Sequence, residues 1–207
     1  MYPFPIATKQ KCNVQEFYSD STWNKPAGVS HVYMLLIGAG ATGTGAQGAG
    51  SGAVTVWYGA AQHIPDTLRV VVGRTPGTNN TLIQAFTNSG VTTLLTAVSP
   101  FGTSGGSAAT NNYFSVSGLF TGIIGQDGSV GTVTPSSVTF LSGGSGTGTT
   151  GATSNYNYKN TGNGYFQLQP IIVGTGAGSA TGKGGIGCGG GQTSGAGGDG
   201  FVLIASW

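Results

Sequence analysis

Short apolar and β-branched runs recur along the chain, and three apolar triplets, 35–37, 70–72 and 171–173, run straight into glycine. Residues 31–37 (HVYMLLI) form the strongest run and predict a buried strand. Residues 53–58 (AVTVWY) alternate, the period of a strand with one face covered. Residues 67–72 (TLRVVV) follow a Pro65-Asp66 turn. Residues 82–87 and 92–98 predict a hairpin across Asn88-Ser89-Gly90, a loop with hairpin chemistry. Further strands are expected at 113–116, 138–141, 165–168, 171–173 and 201–206. No stretch of about 12 residues combines a 3.6-residue apolar period with freedom from glycine. Residues 115–124 are the one place where a short helical turn is expected. Many short strands separated by turn signals predict an all-β fold: an antiparallel β-sandwich or jelly-roll-like domain with long glycine-rich loops.

Composition sharpens the loops. Glycine occupies 41 of 207 positions, concentrated in tracts at 38–52, 102–106, 143–151 and 174–200. Such tracts are either flexible linkers or close-packed extended segments, in which the missing side chain lets backbones touch, as in polyproline-II packing. A strict Gly-X-Y period is absent, so collagen is excluded. Strands are expected on both sides of nearly every tract, so ordered loops are expected rather than linkers. Ordering glycine is entropically costly, so order requires neighbouring backbone or a partner chain. Apolar and aromatic residues make up 38% and 10% of the chain, enough for a core and against disorder.

Charge excludes some partners. Charged residues are only 6% of the chain, with a net charge of +2 and no run of Lys or Arg. Phosphate-driven nucleic-acid binding is therefore not expected. So low a charge density gives little protection against association, as in a subunit of an assembly. Short strands with open edges also suggest a homo-oligomer. Cys12 and Cys188 are expected to be small hydrophobes rather than a disulfide framework or a zinc site. The N-terminal residues lack the basic and apolar segments of a signal peptide. The longest apolar run, 32–37, is far too short to span a bilayer. Synthesis in a cytosol, without the usual export, is the expectation.

Several motifs tempt towards enzymology. Residues 38–43 (GAGATG) follow a strand and fit the dinucleotide fingerprint GxGxxG. That motif needs a helix to begin at its third glycine; here another glycine tract follows. Residues 102–106 (GTSGG) fit the nucleophile elbow GxSxG, but no helix follows, and both histidines, His31 and His63, precede it. Residues around Lys183 fail the phosphate-loop pattern at both ends. The carboxylates Glu16, Asp20, Asp66, Asp127 and Asp199 form no close pair; Asp20 and Asp199 read as turn residues. His31 and His63 read as structural. The chain is thus expected to be non-enzymatic, with no catalytic residues, cofactor or metal. Tyr156, Tyr158 and Tyr165, set among Asn and Gly, are the candidate partner or receptor contacts, because tyrosine offers large contact area at low entropic cost. Trp23 and Trp57 read as core anchors, and Trp207 as a pin for the last strand.

Residues 17–40 (FYSDSTWNKPAGVSHVYMLLIGAG) resemble the opening of the glycine-rich domains of bacteriophage virion proteins, whose pattern runs aromatic, TW-x-K-PAGV, a strand, then glycines. Residues 51–57, 65–73, 140–144, 184–191 and 197–204 continue the likeness, the last as a glycine pair leading into a closing hydrophobic strand. The resemblance covers residues 17–207, expected as a single glycine-rich β domain. Residues 1–16 are then an N-terminal extension with a virion-anchoring role. The resemblance implies a virion surface subunit: head decoration, spike or tail component, acting by contacts with other virion proteins. It favours a trimer. The alternative it leaves is a receptor-binding adhesin whose glycine-rich and Tyr/Asn loops contact a host surface glycan or protein.

Overall fold

A computed structural model describes residues 12–45, 47–75, 80–107, 118–123, 125, 127–128, 153–156, 159–160, 166–167, 171–175 and 181–207. Among the described residues, the regular structure is strand apart from one 3-10 turn. Its elements are β1 (Asn13–Phe17), β2 (Ser21–Asn24), β3 (His31–Ile37), β4 (Val54–Ala60), a 3-10 turn (Ala61–His63), β5 (Thr67–Val71), β6 (Thr81–Thr87), β7 (Gly90–Ala97), β8 (Gly118–Ile123), β9 (Thr153–Tyr156), β10 (Lys159–Asn160), β11 (Phe166–Gln167), β12 (Ile171–Thr175) and β13 (Phe201–Ser206).

Two antiparallel sheets carry the fold. The first has five strands in the order β1-β13-β3-β4-β8, and the second has four in the order β2-β5-β6-β7. They face each other across one core. Met34, Leu36, Trp57, Val202 and Ile204 of the first sheet meet Trp23, Leu68, Val70, Ile83 and Leu95 of the second. Each fully buried Leu, Ile or Val contributes roughly 1.5–3 kcal/mol of transfer free energy. The expected antiparallel sandwich is therefore the observed architecture.

The run 31–37 has no polar alternation because β3 is covered on both sides. Tyr33, Leu35 and Ile37 point away from the sandwich core. They form a second apolar layer with Val54, Phe201, Leu203 and Ala205, against which Cys12, Val14 and Ile186 pack. A central strand buried on two faces reads as a continuous hydrophobic run.

Strands β1, β2, β8, β9 and β10 were not expected as strands. Residues 118–123, where a helical turn was expected, form β8, paired antiparallel with β4 from Val54↔Ile123 to Gly59↔Gly118. The open edge of β4 supplies a full ladder, and that outweighs the weak local preference of a glycine-containing segment. Asn13–Phe17 form the edge strand β1 on β13, so the boundary expected after residue 16 falls inside a strand. The hairpin across Asn88-Ser89-Gly90 is present as β6–β7. The strands expected at 113–116 and 138–141 lie outside the described residues.

The resemblance motif is a corner of the scaffold. Trp23 is fully buried between the sheets. Lys25 donates its backbone N–H to the Asp66 carbonyl at 2.8 Å. Its ammonium donates to the Ala61 and Ile64 carbonyls at 3.2 and 2.7 Å and pairs with Asp66 at 2.8 Å. Gly28 turns the chain at φ +79°, and Val29 packs on the core. The motif thus ties the end of β2 to the turn that leads into β5.

Candidate functional site

The described glycine segments leave the sandwich at one end; the tract at 143–151 and residues 176–180 lie outside the described residues. Residues 38–53 join β3 to β4, residues 98–107 follow β7, Gly125 and Gly128 lie beyond β8, and residues 181–200 lead into β13. They bond to one another, backbone to backbone. Gly40 and Gly43 donate to the carbonyls of Gly198 and Gly195 at 2.9 and 3.0 Å. Ala49 and Gly52 donate to Gly190 and Gly187 at 2.9 and 2.8 Å. Gly184 and Gly187 donate to Ala196 and Asp199, both at 2.9 Å. Gly125 and Gly128 donate to Gly106 and Thr103 at 2.7 and 2.6 Å.

In each pair, donors and acceptors both step by three residues. Three residues per turn is the repeat of a polyproline-II helix, which has no internal hydrogen bonds and must find partners outside itself. Here the partners are the neighbouring glycine segments. The bundle is therefore the packed alternative of the two readings that composition allows, not a set of linkers.

Close approach explains the glycine. A Cβ on Gly40 would meet the Cys188 carbonyl, and one on Gly198 the Gly185 carbonyl. Alanine sits between these positions, and Ala39, Ala41 and Ala49 are buried, so only some positions of the repeat face a neighbouring backbone. Polar side chains tie the bundle to the sandwich. Thr81 Oγ1 donates to the Ile37 carbonyl at 2.7 Å. The Ala39 N–H donates to Ser99 Oγ at 2.9 Å, and the Thr75 N–H to Asp199 Oδ1 at 2.9 Å. Asp199 therefore does more than turn the chain: it holds the loop after β5 against the segment before β13.

The tempting motifs lie within this bundle. The N–H groups of Gly40, Ala41 and Gly43, which a dinucleotide loop would turn towards phosphate, are donated to Gly198, Gly50 and Gly195. In the segment 102–106, Gly105 donates to Asp127 Oδ1 at 2.6 Å and Gly106 to Ser51. Among the described residues, no group of three or more His, Cys, Asp or Glu side chains is placed to hold a metal ion. Cys188 is buried, and its thiol donates to the Ile186 carbonyl at 3.3 Å; Cys12 is half-buried, and burial raises its pKa.

Of the candidate contacts, Tyr156 ends β9 and pairs with Ile171 of β12. Tyr158 and Tyr165 lie outside the described residues. Sequence reasoning missed Phe101, which stands 84% exposed where the chain leaves β7 for the bundle. A lone aromatic between proline and glycine carries no periodic signal. It also missed the grouping of His31, Tyr58 and Trp207 at the opposite end of the first sheet. Their ring centroids are 5.7 Å (His31–Tyr58), 6.2 Å (His31–Trp207) and 5.8 Å (Tyr58–Trp207) apart. The signal that could have found them is strand register, which a single sequence leaves open.

Comparison with protein-family models found no match, and comparison with curated proteins found no relative.

Proposed function

We propose that this chain is a structural subunit on the surface of a bacteriophage virion, working by rigid assembly contacts rather than chemistry. The observation that carries the reading is the glycine bundle. Its segments are bonded backbone to backbone, so loops that would otherwise be mobile become a stiff, nearly uncharged surface. The likeness of residues 23–29 to the opening of phage glycine-rich domains supports the same reading, as does a charged fraction of 6%. Partners are then other virion proteins and further copies of the chain, with a trimer favoured. Quantitative mass spectrometry of purified particles tests this: a fixed copy number supports it, and absence from particles overturns it.

A second reading, a receptor-binding adhesin, is favoured by Phe101, exposed beside the bundle. Isolated aromatics on a rigid frame are typical contact residues. A host-range assay separates the two. Reduced adsorption after Phe101→Ser or after exchange of residues 155–165 supports the adhesin, and unchanged adsorption opposes it.

A further inference from the structure

Three aromatic rings meet at the end of the first sheet opposite the glycine bundle. Trp207 follows β13 and pairs with His31: the Trp207 N–H donates to the His31 carbonyl at 3.1 Å, and the His31 N–H to the Trp207 carbonyl at 2.9 Å. Tyr58 on β4 is diagonal to His31, because His31 pairs with Ala60 and Tyr33 with Tyr58. All three side chains lie on the outer face of the sheet, on three neighbouring strands.

Their planes are nearly parallel, at 12°, 20° and 15° to one another. The three centroid separations are also nearly equal, from 5.7 to 6.2 Å. A single pile of rings would make one separation about twice the others, so the rings form a triangle. All three residues are half-buried. Leu119, across from Tyr58 on β8, extends the row and is 73% exposed.

At this edge Ser30 supplies side-chain hydrogen bonds. Ser30 Oγ lies 3.0 Å from His31 Nδ1 and donates to the Trp207 carbonyl at 3.1 Å. That fixes the imidazole by one nitrogen and leaves Nε2 for another partner. Among the described residues, no Lys, Arg, Asp or Glu belongs to the row.

We propose that His31, Tyr58 and Trp207 form a binding site for a neutral pyranose saccharide. Near-parallel indole and phenol rings match the apolar C–H face of such a sugar, and aromatic side chains with a polar tip suit a ligand that is apolar on one face and hydroxylated at its rim. The imidazole Nε2 and Ser30 Oγ are placed to meet hydroxyls. The lack of charge in the row disfavours acidic sugars and phosphate. This inference is independent of the virion reading, which concerns the other end of the molecule.

Tryptophan fluorescence makes the site directly observable. Trp23 and Trp57 are fully buried, so added saccharide can reach only Trp207. The probes are methyl α-D-glucopyranoside, methyl β-D-galactopyranoside and cellobiose, titrated into the intact chain, with saturation-transfer NMR on the sugar C–H signals. A saturable emission change with millimolar Kd for at least one probe is expected. Trp207→Ala and Tyr58→Ala should each weaken binding by about tenfold or more, the loss of one aromatic contact of ~1.5 kcal/mol. Trp207→Phe should retain binding, and a thermal melt shows whether each variant is folded. No saturable response to any probe overturns the proposal, as does binding that is unchanged in folded Trp207→Ala and Tyr58→Ala. So does concentration-dependent self-association that Trp207→Ala abolishes in a chain that binds no sugar.

Discussion

The Gly40 N–H donates to the Gly198 carbonyl at 2.9 Å, and neither residue has room for a Cβ. The methyl of Gly40→Ala would strike the Cys188 carbonyl, and that of Gly198→Ala the Gly185 carbonyl. Both obstacles are backbone, which cannot rotate away. Each substitution should lower stability by about 1–3 kcal/mol, the usual cost of overpacking, and lower the thermal midpoint accordingly. Gly45 is the comparison. Nothing lies within 4 Å of its virtual Cβ, but its φ is +96°, so Gly45→Ala should cost only the ~1–2 kcal/mol of a left-handed backbone. Thermal melts of the three variants separate crowding from conformation.

Lys25 owes its effect to carbonyls more than to its ion pair. Asp66 is 90% exposed on its side chain while Lys25 is 18% exposed, so solvent screens the pair. Asp66→Asn should cost less than about 1 kcal/mol. Lys25→Met takes the ammonium donor from the Ile64 carbonyl and leaves the Ala61 carbonyl only the Ile64 N–H, and should cost about 1.5–3 kcal/mol. Urea unfolding of both variants checks the order.

Tyr18 donates its hydroxyl to Glu16 Oε2 at 2.7 Å. That hydrogen bond, then partial burial and the carboxylate charge, raises the phenol pKa from 10.0 to about 12. A raised phenol pKa means that the folded chain holds its proton longer than the unfolded chain. This contribution to stability is fully present below pH 10 and is lost as pH rises from near 10 towards 12. Tyr33 shifts in the same direction, through burial. Absorbance titration should show a late-ionising phenol in the folded protein, and Glu16→Gln should bring one titration step back towards 10.0.

Trp23 fills the core with its indole N–H unpartnered. Trp23→Ala should cost about 3–5 kcal/mol. Trp23→Phe loses volume but also removes a buried donor, whose unmet desolvation is ~1–3 kcal/mol, so its cost should be much smaller. Equal losses in chemical denaturation would contradict this account of the site.

The strands that were legible in the sequence are those with strong local patterns. β3 and β13 match the runs 31–37 and 201–206, and the β6–β7 hairpin follows from its turn residues. The missed strands have no such pattern. β1 (NVQEF) and β2 (STWN) are short, polar edge strands, held by the ladders of β13 and β5 rather than by their own propensity. β8 was hidden for the same reason. The glycine bundle was half legible: composition identified the tracts, but which segments bond depends on where five strand ends converge. The aromatic row was not legible, because residues 31, 58 and 207 meet only through sheet register.

The described glycine segments form an ordered bundle bonded backbone to backbone. Amide hydrogen exchange measured by NMR tests it most directly. The amides of Gly40, Gly43, Gly52, Gly187, Gly190 and Gly198 donate within the bundle, so they should exchange slowly, with protection approaching that of β3. Exchange of these amides at the rates of an unstructured peptide, while β3 stays protected, would contradict the account.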